Sequence, residues 1–369
     1  MWRQVLALIV KELLAVLSDA KSRSVLISPP IVMLILFGYA ATYDLDRVPI
    51  AIYNQDASQA SRDLVAHFLG APTFRLVATL HSSQEIDALI DSRQIKLALV
   101  IDPRFSRDLL TGRPAPVQAI LDGRNSNTAL LIEGYANAIL SDFSIAWAAA
   151  HGAANPPATL DIRARYNPTL SSHWFFVPSI VALLTQIVTL MVVALSVARE
   201  RESGTFDQLL VTPLRPIDIL LGKGLPGVLI GAIEASAIIA ATVWWFEVPL
   251  RGALPTLYLG LIIFVIAIVG VGLMISSLAT TQQQALLGVF LFMVPSILLS
   301  GFASPIANMP DWVQDITLVN PMRYFLVIVR GVFLEGASLP SLASQYWPMA
   351  LIAAASLTAA GWLFRRRVT

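Results

Sequence analysis

Four consecutive charges, Arg199, Glu200, Arg201 and Glu202, follow directly on Trp174 to Ala198, a stretch without one charged residue. Inside-positive anchoring of a membrane segment needs only Lys or Arg, whereas these residues alternate in sign. They can therefore pair with one another or meet a polar partner surface. Behind them Gly204 is a flexible entry, and Thr205 with Gln208 has the T-x-x-Q spacing of a capping box. Phe206, Leu209 and Leu210 form a small apolar stripe that Pro213 closes. The chemistry open to such a stiff, short element is contact and transmission of force. A solvated loop whose arginines only anchor topology fits the same residues.

A second candidate is Glu234, a carboxylate near the middle of an apolar run. Lipid makes a charge there costly, so the group must face protein or an aqueous cavity. Contact with cargo or a proton, pairing with a polar neighbour, and a span drawn with the wrong boundary all remain open. Gln186 is a weaker polar feature of the preceding run. Bond-making chemistry finds no constellation: G-x-x-x-x-G-K-[ST], H-E-x-x-H, C-x-x-C and G-x-S-x-G do not occur, and His67, His81, His151 and His173 are scattered. No catalytic, cofactor or metal residue is expected in this chain. If nucleotide powers it, the motor is another subunit.

The elements that hold these residues follow from composition. The 369 residues are 56% hydrophobic and 13% charged, with mean hydropathy +0.70, and the charged share is about half that of a soluble domain. Runs long enough for the roughly 20 residues of a membrane-spanning helix predict six spans, at 23–43, 174–198, 222–246, 253–278, 285–303 and 343–364. The fourth and fifth come from one uncharged tract, Ala253 to Ser304, divided at the polar ATTQQQ of 279–284. Arg3, Lys11, Lys21 and Arg23 precede the first span, Arg199, Arg201, Arg215 and Lys223 lie between the second and third, and Arg365 to Arg367 end the chain. An even number of spans puts all three clusters on one side, which the positive-inside rule makes cytoplasmic. Residues 199–221 then form a cytoplasmic loop, and 44–173 face outward.

That outward region has no cysteine to staple it and must rely on its own core. Its pattern predicts strands at Val48 to Tyr53, Phe74 to Thr79, Leu97 to Ile101 and Val117 to Leu121, alternating with helices near Ala57 to Leu69, Ser83 to Ser92, Pro103 to Leu110 and Thr128 to Ala150. This is a small mixed α/β domain, with a turn-rich break at Asn155 to Asp161. Residues 1–22 place Trp2, Leu6, Ile9, Leu13 and Val16 at helical spacing, which predicts an interfacial amphipathic helix. The long charged lead-in argues against a signal peptide cut near Gly38 and Ala40. Residues 304–325 carry Pro305, Pro310 and Pro321 with the amphipathic Trp312, and fit either an outer re-entrant or interfacial segment or an ordinary loop. Gly224, Gly227, Gly270 and Gly272 suit close helix packing better than hinging.

With YNPTLSSHWFFVPS at 166–179, SVARERESGTFDQLLVTPLRP at 196–216, SSLATTQQQALLGVFLFMVPSILLSGFASPIANMP at 276–310, NPMRYF at 320–325 and ILDGRNSNTA at 120–129, the chain resembles ABC-2 type transporter permeases. The resemblance is to the bacterial multidrug-export-like group with a large periplasmic domain after the first span. It implies a polytopic α-helical permease that pairs with an identical or homologous permease and with two ATP-binding subunits, which hold ATP and Mg. Arg199 to Pro213 would be the coupling region, with Glu202 and Gly204 at its turn and the N-terminal helix as a second contact. Spans one, two and five would line much of the dimer interface and route. The cargo class implied is drug-like, lipid-like or otherwise amphiphilic. The outer domain would receive cargo or dock a periplasmic adaptor, and the complex would sit among the lipids of a bacterial inner membrane with both termini cytoplasmic.

Two other classes remain. A proton-coupled secondary transporter could use Glu234, although no inverted repeat or cluster of membrane carboxylates is visible. A receptor or assembly protein could sense through the outer domain. A net charge of +1 with short basic clusters argues against nucleic acid.

Overall fold

The computed structural model describes residues 2–18, 20–40, 45, 47–124, 126–151, 172–205 and 215–368. They fall into two compact units, Tyr43–Arg163 and the remainder, Met1–Thr42 with Ala164–Thr369.

The first unit is a four-stranded sheet with helices on both faces. In β1 (Val48–Asn54) the side chains of Val48, Ile50 and Ile52 are buried on one face while Ala51 is buried on the other, as the two-residue period of a strand requires. Around it lie α3 (Gln59–Gly70), β2 (Phe74–Thr79), α4 (Gln84–Asp91), β3 (Leu97–Ile101), α5 (Phe105–Leu110), β4 (Val117–Leu121) and α6 (Ser126–Ala150). The strand order is β2-β1-β3-β4, with β1 parallel to both neighbours and β4 antiparallel to β3. Leu64 and Phe68 of α3 with Ile132 and Phe143 of α6 cover one face, and Ile86 of α4 with Ile95 covers the other. The mixed α/β character read from periodicity is what the backbone adopts. The expected break at Asn155 to Asp161 lies outside the described residues.

In the second unit, α1 (Trp2–Ser18) and α2 (Ala20–Ala40) precede the sheet. After it come α7 (Ser172–Glu202), α8 (Pro216–Trp244), α9 (Leu254–Leu278), α10 (Gln282–Leu298), α11 (Asp311–Thr317), α12 (Pro321–Arg330) and α13 (Ala343–Val368). Among the described residues four helices, α7, α8, α9 and α13, are long and apolar enough to cross a membrane. A fifth is reached if α11 and the longer segment that begins with α12, bent by 83° to each other, count as one broken span. By length and composition the described residues thus show four or five of the six expected spans. Among the described residues α2 contributes the apolar segment Leu26–Tyr39 and α10 the segment Gln282–Leu298, after which the chain turns through Gly301 at φ +84°. Each is shorter than the roughly 20 residues a span needs.

α9 is central and packs on α7, α8, α12 and α13. Its contact with α7 and α8 turns on Val193, which sits against Gly227 of α8 and Gly272 of α9, leaving no room for a Cβ at either glycine. These glycines serve close packing.

Candidate functional site at the inner end of α7

The helix that carries the first charged candidates does not end before them. α7 continues through Glu202, so Arg199 to Glu202 are the last turn of a long apolar helix and not a separate loop. The helix stops in a Schellman motif: Gly204 N–H donates to the Arg201 carbonyl (3.1 Å) and Thr205 N–H to the Glu200 carbonyl (3.0 Å), with Gly204 at φ +70°. Glycine takes that left-handed conformation without the penalty a side chain brings. The chain resumes at Pro216, whose missing N–H costs nothing at the first position of α8, and Asp218 accepts the Arg215 N–H at 3.2 Å. Phe206, Leu209, Leu210 and Pro213, together with Gln208 of the expected capping box, fall on residues 206–214, outside the described residues.

The charges turn inward to different neighbours. Arg201 donates to the carbonyls of Ser277 (3.0 Å) and Ala279 (3.1 Å) at the end of α9, where the helix dipole favours a cation. Glu202 Oε2 accepts the main-chain N–H of Gln282 (3.0 Å) and its side-chain amide (3.1 Å). Gln282 opens α10, so the carboxylate sits at a helix N-terminus, where negative charge is favoured. Thr281 caps the same end, its hydroxyl accepting the Gln284 N–H at 3.2 Å. The E-x-G-T and T-Q-Q-Q segments thus form one joint between α7 and α10.

Glu200 belongs to a network that the sequence does not announce. Its Oε1 meets Lys11 Nζ at 2.6 Å, and its Oε2 meets Lys223 Nζ at 2.6 Å. Lys223 also pairs with Glu12 Oε1 at 3.0 Å, and Ser196 donates to Glu12 Oε2 at 2.9 Å. The Lys223 side chain is 1% exposed. Two carboxylates around one buried ammonium, with Lys11 balancing the second, satisfy the charge pairing that burial demands. The network ties α1 and α8 to the end of α7.

α1 is positioned for this by a face different from the expected one. Val5, Leu8 and Glu12 are buried, with Leu8 against Gly222 of α8. Leu6, Val10, Leu14 and Leu17 form an exposed apolar stripe. Of the expected stripe, Leu6 is exposed, Ile9, Leu13 and Val16 are half-buried, and the Trp2 side chain is outside the description. The sequence pattern gave the apolar stripe of an interfacial helix, and the face that packs on α8 is a different one, Val5, Leu8 and Glu12. Glu12 and Lys223 could have been singled out only as charges embedded among apolar residues, and their separation of 211 positions hides their pairing.

Farther along, Thr189 packs on Gly231 and Val193 on Gly227. Four residues along α7 match four in the opposite direction along α8, which brings Glu234 level with Gln186. Both Glu234 carboxylate oxygens, Thr185 Oγ1, Thr189 Oγ1 and Gln186 Nε2 are buried without a hydrogen-bond partner in the described structure. Gln186 Oε1 accepts from Ser296 of α10 at 3.3 Å, and Ser296 is held by Asn320, whose Nδ2 donates to the Ser296 carbonyl at 2.7 Å.

The segment at 304–325 folds back on itself. Pro305 precedes a single 3-10 turn, Pro310 precedes α11, and Pro321 is the first residue of α12, while Trp312 is exposed. Arg330, not singled out by sequence, fixes the far end of α12: its Nε donates to Ser179 at 2.9 Å, its guanidinium reaches the Gly301 carbonyl at 3.3 Å and lies 3.8 Å from the Phe175 ring centroid. Among the described residues no group of His, Asp or Glu side chains is placed to hold a metal ion.

The model of the ABC-2 family transporter protein family matches residues 23–362. The chain is 41% identical over 369 residues, the whole of both proteins, to the probable multidrug ABC transporter permease YbhR of Escherichia coli strain K12. It is 32% identical over 343 residues to the probable multidrug ABC transporter permease YbhS of the same strain, covering 91% of this chain and 89% of the relative. A third relative, the inner membrane transport permease YhhJ of that strain, is 29% identical over 99% of this chain and 98% of its own.

Proposed function

This chain belongs to the ABC-2 transporter family, and from that premise we propose that its inner α7 joint receives the stroke of separate ATP-binding subunits. The chain is the membrane permease component of an ABC-type transport system and not its ATPase. In the proposed assembly two ATP-binding subunits carrying ATP and Mg act on two permeases, this chain and an identical or homologous one. They stand in a bacterial inner membrane with the basic clusters and both termini cytoplasmic. α2 and α10, tilted or locally thinning the bilayer, complete six spans with the four long helices. The outer α/β unit receives cargo or docks an adaptor, and 304–325 caps the route as a re-entrant hairpin.

The observation that carries this reading is the set of bonds on one helical turn. Glu200 joins α1 and α8, Arg201 joins α9 and Glu202 joins α10. A push on Gly204, Thr205 or the following Phe206, Leu209, Leu210 and Pro213 therefore acts on four helices at once. Arg199 lies beside this turn and lines the neighbouring cavities. The resemblance implies coupling residues that face the ATPase directly. Here Glu200, buried, and Arg201, half-buried, fasten α7 to its neighbours, and Glu202 does so at the surface, in an exposed end that continues through Ser203, Gly204 and Thr205. Gln186 has a structural role through Ser296, and Glu234 is a polar group used during transport.

Co-purification with candidate ATP-binding subunits in lipid nanodiscs tests the proposal. Binding, and ATP hydrolysis that depends on the permease, should be lost or uncoupled by Gly204→Pro. Unchanged binding and hydrolysis would remove the transmission role.

A further inference from the structure

A groove of about 600 Å³ runs between α8, α9 and α13, three of the helices long and apolar enough to cross a membrane. Its volume lies in the range of roughly 300–1,000 Å³ that takes small molecules. Leu221, Leu225 and Val228 of α8, Ile266 and Leu273 of α9 and Leu357 of α13 are among its walls, and no Asp or Glu lines it. Thr358, a polar wall residue, keeps its hydroxyl proton within its own helix, on the Ala354 and Ala355 carbonyls at 2.9 Å. Part of the room comes from Gly361, where a Cβ would meet only Leu220, at 3.7 Å. Hydrocarbon fits this body, because a polar guest would give up its hydrogen bonds to water and gain none.

One end of the groove is different. Trp362 lines it with an exposed ring, and the Arg366 guanidinium stacks on that ring, 4.0 Å from its centroid. Stacking takes the face of the guanidinium and leaves the N–H groups in its plane for other partners. Arg366 is exposed, and among the described residues no acid pairs with it. Arg365, which lines the same end, is already engaged. Asp218, the acid in the first turn of α8, is buried and accepts the Arg215 N–H. A guanidinium held on a ring with its donors available is suited to a phosphate, which it can grip with two parallel hydrogen bonds.

We propose that this groove binds an anionic phospholipid of the surrounding bilayer. One acyl chain lies along the groove from Trp362 toward Val228 and Leu357, and the phosphate meets Arg366. The walls belong to membrane-crossing helices, so the lipid enters sideways from its own leaflet without leaving the bilayer. Basic residues at the edge of the hydrocarbon draw anionic heads, whereas the quaternary ammonium of a zwitterionic head would stand beside the same cation. The site does not rest on the export reading above.

The test uses the full chain in phosphatidylcholine nanodiscs and phosphatidylglycerol carrying a diazirine near the end of one acyl chain. Label is expected on peptides containing Val228, Ile266 or Leu357, above the level at Ile233, an exposed side chain of α8 outside the groove. Unlabelled phosphatidylglycerol should displace the label about fivefold better than added phosphatidylcholine, a difference of about 1 kcal/mol, as one Arg near an anionic surface supplies. Arg366→Gln should bring that ratio to about one while the groove still takes label. Gly361→Leu fills the groove with a better helix former and should remove the label with Arg366 intact, which keeps the test informative if one variant folds poorly. Equal displacement by the two lipids, a preference that survives Arg366→Gln, or labelling that survives Gly361→Leu would overturn the site. Groove labelling that vanishes when a second permease joins would assign the groove to that partner and overturn the lipid site as well.

Discussion

Lys223 of α8 and Glu200 of α7 meet at 2.6 Å, with the lysine side chain 1% exposed. The same ammonium holds Glu12 of α1 at 3.0 Å. One buried cation thus fastens the N-terminal helix and two long apolar helices at one point.

Lys223→Met is expected to destabilise the chain by about 3–5 kcal/mol, since removing one partner of a buried ion pair leaves uncompensated carboxylates. Thermal unfolding in nanodiscs reads the loss. Combining it with Glu12→Gln and Glu200→Gln should restore most of the stability, because the orphaned charges go with it. No recovery in the triple variant would mean that Lys223 acts mainly by packing.

Gly204→Ala should cost about 1 kcal/mol through the left-handed conformation alone, because a Cβ there meets nothing within 4 Å. Faster amide exchange at Thr205, whose N–H closes the cap on Glu200, is the local readout. Exchange at Thr205 as slow as in the parent would contradict the cap.

How much of this was legible depends on the range of the interaction. Strand periodicity needs only nearby residues, so Val48, Ile50 and Ile52 could be read as one face. The ATTQQQ break was visible as a polar interruption, and its role as the start of α10 agrees with Thr281 capping Gln284. What joins it to Glu202 spans 80 positions, and local pattern carries no such information. Glu200 was singled out for its charge and its place, but its inward direction depends on Lys11 and Lys223. The packed face of α1 was not legible, because the helix has apolar residues on more than one side and that face includes the carboxylate of Glu12, paired with the distant Lys223.

Glu234→Leu is expected to raise unfolding stability by about 1–3 kcal/mol, because it removes a buried polar group left without a partner. ATP hydrolysis linked to cargo should fall at the same time, the pattern of a site kept for use at the expense of stability. A lower melting temperature would show Glu234 to be a structural member.

The outer α/β unit should lose stability in acid. Arg104, through its backbone N–H first, holds Asp102 below the ordinary carboxyl value of 3.8, and the Arg124 side chain does the same for Asp122. A lowered folded-state value gives stability that is present above 3.8 and lost as pH falls through the folded value. Acid unfolding of the full chain, followed at Trp147, should be flatter for Asp102→Asn with Asp122→Asn. An identical acid limb would remove both aspartates from the account.

The chain contains no cysteine, so Leu291→Cys, at a side chain 77% exposed on α10, gives a single labelling point for an environment-sensitive fluorophore. The most direct measurement follows that fluorophore during ATP addition to the complex assembled with its ATP-binding subunits. The account predicts an ATP-dependent change that shrinks with Glu202→Ala while the subunits stay bound, because Glu202 ties the end of α7 to Gln282 at the start of α10. A signal of the same size in the Glu202→Ala complex would contradict transmission through this joint.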